Sequence, residues 1–246
     1  MTGEPWPDLA ILWEDDRYLA IDKPNGLFVH RSNLDARERI AALQAVRRLA
    51  GGRVHAVHRL DRGTSGVLLF ARDREAARAL SEQFVARTVQ KTYLALVRGH
   101  PPEQGELDYP LVPSEGAEPV AAVTAWRTLA NGALAVPVGR YDQAWCALVA
   151  LFPHTGRRHQ LRRHLSHLRH PIIGDTSYGD GRNNRAFREA LDVQRLMLYA
   201  RRIAFTHPFN NDHIVIDMNP DATLDHVCAH FGWPAPSDDV LADSAR

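Results

Sequence analysis

The order of the apolar runs constrains this chain most. Short β-prone stretches and helical periodicities succeed one another without strict βαβ alternation, which indicates an α+β fold around a largely antiparallel or mixed sheet. Residues 10–13 and 18–22 are β-prone and are separated by the charged turn Glu14-Asp15-Asp16. Lys23-Pro24-Asn25-Gly26 has turn chemistry: Pro presets φ, and Asn and Gly tolerate positive φ. Asp35 can cap a helix to about residue 50, with Ile40, Leu43, Val46 and Leu49 on its buried face and Gly51-Gly52 ending it. A polar loop, 58–65, leads into an apolar strand, 66–71. Asp73 then caps a helix reaching about residue 87, with Ala77, Leu80 and Phe84 inward.

A strand at 92–97 opens a β-rich middle, with further strands expected near 107–112, 121–129, 133–138 and 144–152. Asn131-Gly132 reads as a hairpin turn between two of them. Helices are expected at 158–169, 184–193 and 221–231, and strands at 197–205 and 213–217. Residues 9–233 read as one catalytic domain, and 234–246, with Pro, Ser and Asp, as a flexible tail.

With 246 residues, 45% of them apolar and 24% charged, the chain is of ordinary globular composition and needs no disulfide or metal staple. Two cysteines, Cys146 and Cys228, exclude a disulfide scaffold and a cysteine-rich zinc module and fit a reducing cytoplasm. The first ten residues lack the basic and apolar regions of a signal peptide, and no membrane span is expected. Net charge is only +1, but it is unevenly spread. Residues 203–245 hold seven Asp and no Lys or Arg; with Arg246 adding one, residues 1–202 carry +7. Lysine occurs only at positions 23 and 91, and arginine suits planar pairing with phosphate and stacking on bases.

Three clusters can carry chemistry. In His58-Arg59-Leu60-Asp61-Arg62-Gly63-Thr64-Ser65-Gly66, a carboxylate lies between two guanidiniums that favour its ionised form, followed by small residues that let a ligand approach the backbone. A carboxylate so held can act as a nucleophile, although a lone Asp in such a loop is most often a turn residue. Tyr93, in Lys91-Thr92-Tyr93-Leu94, suits a half-buried strand and equally a face that stacks on a nucleobase, with a phenol available for proton transfer. Residues 154–170 contain five Arg, five His and no acid. On a helix, Arg158 and Arg162 stand four apart and repel. Such a face implies an anion nearby, either a phosphate backbone or a buried carboxylate such as Asp61. The histidines follow no HExxH pattern, and the interleaved arginines would repel a cation, so no metal is expected. No Walker, dinucleotide, GxSxG or kinase signature is present.

Together these motifs resemble the RluA family of RNA pseudouridine synthases. The similarity rests on HRLDRGTSG at 58–66, KTYLALVRG at 91–99 and HTGRRHQLRRHL at 154–165, supported by IDKPNGLFVH at 21–30 and HPIIGDTSYGD at 170–180. It spans about residues 9–218. The phrases LDYPLV, VGRY, GRNNR and HFGW resemble the subfamily that isomerises uridine 65 in the T-stem region of tRNA. The resemblance implies a central, mostly antiparallel mixed sheet in two halves with flanking helices and a cleft, and no N-terminal S4 module. It implies Asp61 as catalytic nucleophile, Tyr93 as the residue packing on the target base and Arg162 as the aspartate's basic partner. Arg59 would engage RNA in base flipping, and Arg158 and Arg163 would contact phosphates. The isomerisation is neither redox nor a net gain of atoms, so no cofactor is expected. A tRNA substrate, no obligatory protein partner, a monomeric state and a cytoplasmic location complete the expectation. The alternatives are ribosomal RNA as the substrate, or an RNA-binding module without chemistry.

Overall fold

A computed structural model describes residues 6–30, 40–219, 221–234 and 236. In chain order the described elements are β1 (Ile11–Glu14), β2 (Tyr18–Lys23), α1 (Ala42–Leu49), β3 (His55–Ala56), β4 (Ser65–Ala71), α2 (Arg74–Ala86) and β5 (Gln90–Arg98). There follow β6 (Gln104–Asp108), β7 (Val123–Leu134), β8 (Ala144–Pro153), α3 (Gln160–His167), α4 (Gly181–Leu191), β9 (Leu198–Thr206), β10 (His213–Asp217) and α5 (Ala222–Phe231). Strands dominate and helices interrupt them irregularly, so the class is α+β. The chain forms two compact units, Met1–Val89 with Arg202–Met218, and Gln90–Arg201 with Asn219–Arg246.

In the first unit β2 pairs antiparallel with both β1 and β4, and the short β3 also pairs with β4. Every residue of β4 is buried, as expected of a strand covered on both faces, and its sequence SGVLLFA is accordingly apolar without alternation. β10 pairs antiparallel with β9, Ile216 facing Ile203 and Val215 facing Ala204. Helix α2 begins where expected: the Asp73 carboxylate accepts the Ala76 N–H at 2.8 Å. It ends at Arg87, whose φ of 60° places it in the left-handed region. Leu80 is fully buried, while Val85, five residues on, is 82% exposed.

Helix α1 differs from the expectation. Its expected start at Asp35 lies outside the described residues. The described helix begins at Ala42, and the Ala41 N–H donates to the Gln44 side chain at 2.8 Å. Ala42, Ala45 and Val46 form its buried face, and Leu49 is 46% exposed. Small residues let the helix sit close, and the stripe turns away from the larger leucines.

In the second unit the order is β5-β8-β7-β6, every neighbour antiparallel. Leu94–Val97 of β5 and nearly all of β8 are buried, so both faces of these strands are covered. The hairpin expected at Asn131-Gly132 is not there. β7 runs unbroken through both residues, which face Ala147 and Cys146 of β8. The glycine serves a different need: a Cβ at position 132 would meet the Trp233 ring at 2.7 Å and the Phe231 ring at 2.9 Å. Those two rings stack at 4.6 Å at the C-terminal end of α5, and the Trp233 indole N–H donates to the Asn131 carbonyl at 3.2 Å. Most of the tail expected to be flexible, 235 and 237–246, lies outside the described residues.

Burial on α2 sets the first test. Leu80→Ala should cost roughly 2–5 kcal/mol, and Val85→Ala less than about 0.5 kcal/mol, in urea denaturation. Equal losses would mean that the helix face is misassigned.

Candidate active site

Asp61 lies on the loop between β3 and β4 of the first unit, and a buried cation fixes that loop. Lys23, fully buried at the end of β2, donates its ammonium to the carbonyls of Pro24 (2.8 Å), Leu27 (2.8 Å) and Arg62 (3.2 Å). A desolvated ammonium is tolerated only with such partners, so burial of Lys23 fastens the turn after β2 to the residue following Asp61. The Gly26 N–H donates to the Arg62 carbonyl at 2.9 Å, and the Arg62 Nε returns a bond to the Gly26 carbonyl at 3.0 Å. The Asn25 amide donates to the Gly63 carbonyl, and the Arg62 guanidinium lies 4.8 Å over the Phe28 ring. The positive φ of 84° at Gly26 is what bends the Lys23–Phe28 segment back onto this loop.

Within the loop the Thr64 N–H donates to the Asp61 carbonyl at 3.1 Å, closing a turn, and Leu60 is buried beneath it. His58 is structural: its Nε2 accepts the Leu69 N–H at 3.0 Å, and its ring stacks on Phe84 at 5.3 Å. Asp61 is half-buried, and Arg59 and Arg62 are exposed. Backbone and side-chain anchors thus hold the loop that carries Asp61.

In the second unit Tyr93 sits half-buried on β5, opposite Leu151 of β8. Helix α3 begins later than expected. His159 adopts a left-handed φ of 55°, and the helix proper starts at Gln160. Gln160, itself buried, accepts from the Arg157 N–H (3.0 Å) and the Thr155 hydroxyl (2.7 Å) and donates to Val123 and Thr124. Arg158 therefore precedes the helix and is exposed, so the two arginines do not form the i, i+4 pair of one helical face that their spacing suggests.

Arg162 meets a buried carboxylate, Asp175. Its Nε donates to Oδ2 at 2.7 Å and its Nη2 to Oδ1 at 2.9 Å, a bidentate pair. The Asp175 side chain has no solvent exposure, and the Arg162 side chain retains 11%. Burial by itself would raise the Asp175 carboxyl, but the Arg162 hydrogen bonds and the N–H groups of Tyr178 and Ser177 outweigh it and hold the carboxyl below the usual carboxylate range. The Tyr178 ring lies 5.1 Å from the Arg162 guanidinium, and its hydroxyl bonds His159 Nδ1 at 3.0 Å. Asn184 of α4 accepts the Gly174 N–H and donates to the Asp175 carbonyl. Gly174 has a φ of 80°, and a Cβ there would fall 1.8 Å from the Arg195 carbonyl oxygen, so only glycine fits. Arg163 turns outward and donates to the Val112 carbonyl at 2.9 Å.

Asp175, Tyr178 and Lys23 were missed as site residues in the sequence, although all three lie inside the quoted motifs. One signal was available: Asp175 is the first acid after the basic run that begins at His154. The histidines of that run have structural partners. His164 bonds Thr124 Oγ1 at 2.9 Å and the Tyr109 carbonyl at 3.0 Å, and His170 bonds the Arg98 carbonyl at 2.9 Å. No group of metal-binding side chains occurs among the described residues. No described helix is long and apolar enough to cross a membrane.

The comparisons with known proteins agree with the motifs. A family model described as RNA pseudouridylate synthase matches residues 17–167. A tRNA pseudouridine synthase C of Salmonella typhi is 46% identical over 248 residues, 97% of this chain and 94% of that protein. One of Pectobacterium carotovorum subsp. carotovorum is 44% identical over 92% of this chain, which spans 62% of that longer relative. Among solved structures, Human RNA Pseudouridylate Synthase Domain Containing 1 superposes with a TM-score of 0.73 at 27% identity, covering 98% of this chain and 96% of that one. The chain belongs to the RluA-type family of RNA pseudouridine synthases and is an isomerase of that class.

The Arg162–Asp175 pair has a definite pH signature. A carboxyl held low when folded contributes stability that is present above its unfolded range and is lost as pH falls through the depressed folded value. Asp175→Asn should therefore destabilise by roughly 3–5 kcal/mol at neutral pH, with the gap to wild type narrowing in acid. Urea titrations across pH measure it; a gap that does not change with pH would remove the ion pair from the account. Gly174→Ala should destabilise by more than about 2 kcal/mol, through its backbone clash.

Proposed function

We propose that this enzyme converts a uridine of tRNA to pseudouridine at position 65, with Asp61 as its nucleophile. One observation carries the tRNA reading: relatives named tRNA pseudouridine synthase C match at 46% identity over nearly the whole of both chains. Position 65 and the role of Asp61 rest on the motif resemblance, and the anchored loop around Asp61 supports that role.

In the proposed reaction the target base is flipped out of its stem, at a cost of a few kcal/mol that arginine–phosphate contacts offset. Arg59 assists the flipping, and Arg158 and Arg163 contact phosphates. The Asp61 carboxylate attacks C1′ of the ribose or C6 of the uracil as the C1′–N1 bond breaks, and the C–O bond so formed breaks again to regenerate the carboxylate as the product forms; the third route has it assist base departure without a covalent bond. The base turns, and C5 replaces N1 in the bond to C1′. The proton displaced from C5 is released, and N1 takes one up, so atoms balance without a cofactor. Tyr93 stacks on the base, and Arg162 is the cationic partner of the Asp61 carboxylate. Asp175 would then serve as a positioning residue, because its bidentate hold fixes how the Arg162 guanidinium is presented. The enzyme works as a cytoplasmic monomer that requires no protein partner.

The test uses tRNA and ribosomal RNA transcripts carrying tritium at uracil C5. Wild-type enzyme should release tritium from the tRNA, with and without EDTA. Asp61→Asn should lose about a thousandfold or more in rate while its tRNA Kd stays within about threefold. Release from ribosomal RNA alone would reassign the substrate, and undiminished release by the variant would remove Asp61 from the chemistry.

A further inference from the structure

We infer that a cleft at the far end of β5, built by Arg98, Arg140, Arg182, Tyr141 and Trp145, binds an unpaired nucleotide of the RNA substrate apart from the target uridine. This inference takes its ligand class, RNA, from the function proposed above. The cleft lies wholly in the second unit and encloses about 700 Å³, the size of a small-ligand pocket. Arg98 stands five residues from Tyr93 on β5, so the two side chains leave opposite faces of the strand about 17 Å apart along it. The cleft is therefore a second locus in this unit and not an extension of the Tyr93 face.

Its chemistry combines positive charge with aromatic surface. Three arginines line it against one carboxylate, Asp180. That carboxylate is already committed: it accepts the backbone N–H groups of Arg182 and Asn183 at the start of α4, and Arg98 Nη1 at 3.1 Å. Burial would raise it, but the Asn183 contacts and the Arg98 charge hold it below the usual carboxylate range, and it remains an anion bound to its own partners. Two guanidiniums are left to face the cleft. Arg182 makes no side-chain hydrogen bond or ion pair among the described residues. Among the described residues, Arg140 donates to the Tyr141 hydroxyl at 3.0 Å, and its guanidinium lies 5.1 Å over the Tyr141 ring, which leaves the opposite ring face for a base.

The aromatic groups are exposed, which an apolar ring does not favour without a reason. Tyr141 is 50% and Trp145 42% accessible. Local structure holds both in place. Val138 and Tyr141 exchange backbone hydrogen bonds at 2.9 and 3.1 Å around a tight turn, with Gly139 at a φ of 62°. That turn presents Arg140 and Tyr141 together. Trp145 sits on β8 opposite Ala133, and His100 packs edge-on against its ring at 4.7 Å. Arginines beside exposed, fixed rings form the combination that holds a single-stranded nucleotide, a ring stacking on the base while guanidiniums take the phosphates. A paired duplex offers no free base face to such rings, so the ligand is an unpaired or extruded nucleotide.

The test compares wild type, Arg140→Ala/Arg182→Ala and Trp145→Ala for binding of an unmodified tRNA transcript, with denaturation midpoints confirming that each variant is folded. The double arginine variant should bind about tenfold more weakly at physiological salt, and its slope of log K against log salt should fall by roughly 1.4–1.8, the value for two lost phosphate contacts. Trp145→Ala should weaken binding about fivefold to tenfold with the slope unchanged. Ultraviolet cross-linking of the otherwise unaltered Asp61→Asn protein to tRNA reads the same site without perturbing it, and should give adducts at Tyr141 or Trp145. Wild-type Kd and slope in both folded variants, or adducts only outside residues 138–145, overturn the inference. Tritium release by wild-type enzyme tests the function proposed above independently, so either can fail alone.

Discussion

A single buried charge fixes the geometry on which the first unit's site depends. Lys23 has no solvent exposure, and its ammonium is held by three carbonyls from two different loops. Removing an ammonium from water costs several kcal/mol, which these bonds must offset. The cost is recovered only when the turn after β2 and the loop carrying Asp61 take up one mutual arrangement. Arg62 and Asn25 add bonds between the same two segments. Asp61 therefore projects from a segment immobilised on both sides. The nucleophilic role proposed for Asp61 needs that condition, because a displacement of about 1 Å can cost a hundredfold in rate.

The second unit uses the same strategy with opposite sign. Asp175 is a buried anion satisfied by Arg162 and by two backbone N–H groups. It fixes the orientation of a guanidinium on a short helix, which would otherwise be free to rotate. Asn184 and the glycine at 174 hold the backbone around it. In each unit, a buried charge that must find partners fixes the shape of the segment that carries a candidate site residue, Asp61 in the first and Arg162 in the second.

Much of this was legible in the sequence. Asp73 announces its helix because an N-cap is a local interaction, and the short apolar run at 66–71, too short for an ordinary helix, fits a covered strand. The three motifs pointed to the family that the comparisons then showed, and they single out Asp61, Tyr93 and Arg162 as the candidates for its chemistry. The failures came where a residue answers to a distant one. Asn131-Gly132 has the chemistry of a turn, but the glycine is needed for the approach of Phe231 and Trp233, about a hundred residues away. The start of α3 slipped because Gln160 binds Thr155 and Val123 and so sets the first turn itself. Asp175 is the first acid after the basic run, but the spacing between positions 162 and 175 does not show that the chain turns back at Gly174, whose φ is 80°, so that the two side chains pair.

Lengthening the Asp61 side chain by one methylene is the sharpest test of whether the fixed loop sets catalysis. In single-turnover assays on a tRNA transcript, Asp61→Glu keeps the charge but moves the carboxylate by about 1.5 Å. If that loop sets catalysis, pseudouridine formation should slow by about a hundredfold or more, with the fold and tRNA binding intact. A rate within about threefold of wild type would contradict it, because a carboxylate tolerant of that shift does not depend on the loop that Lys23 holds.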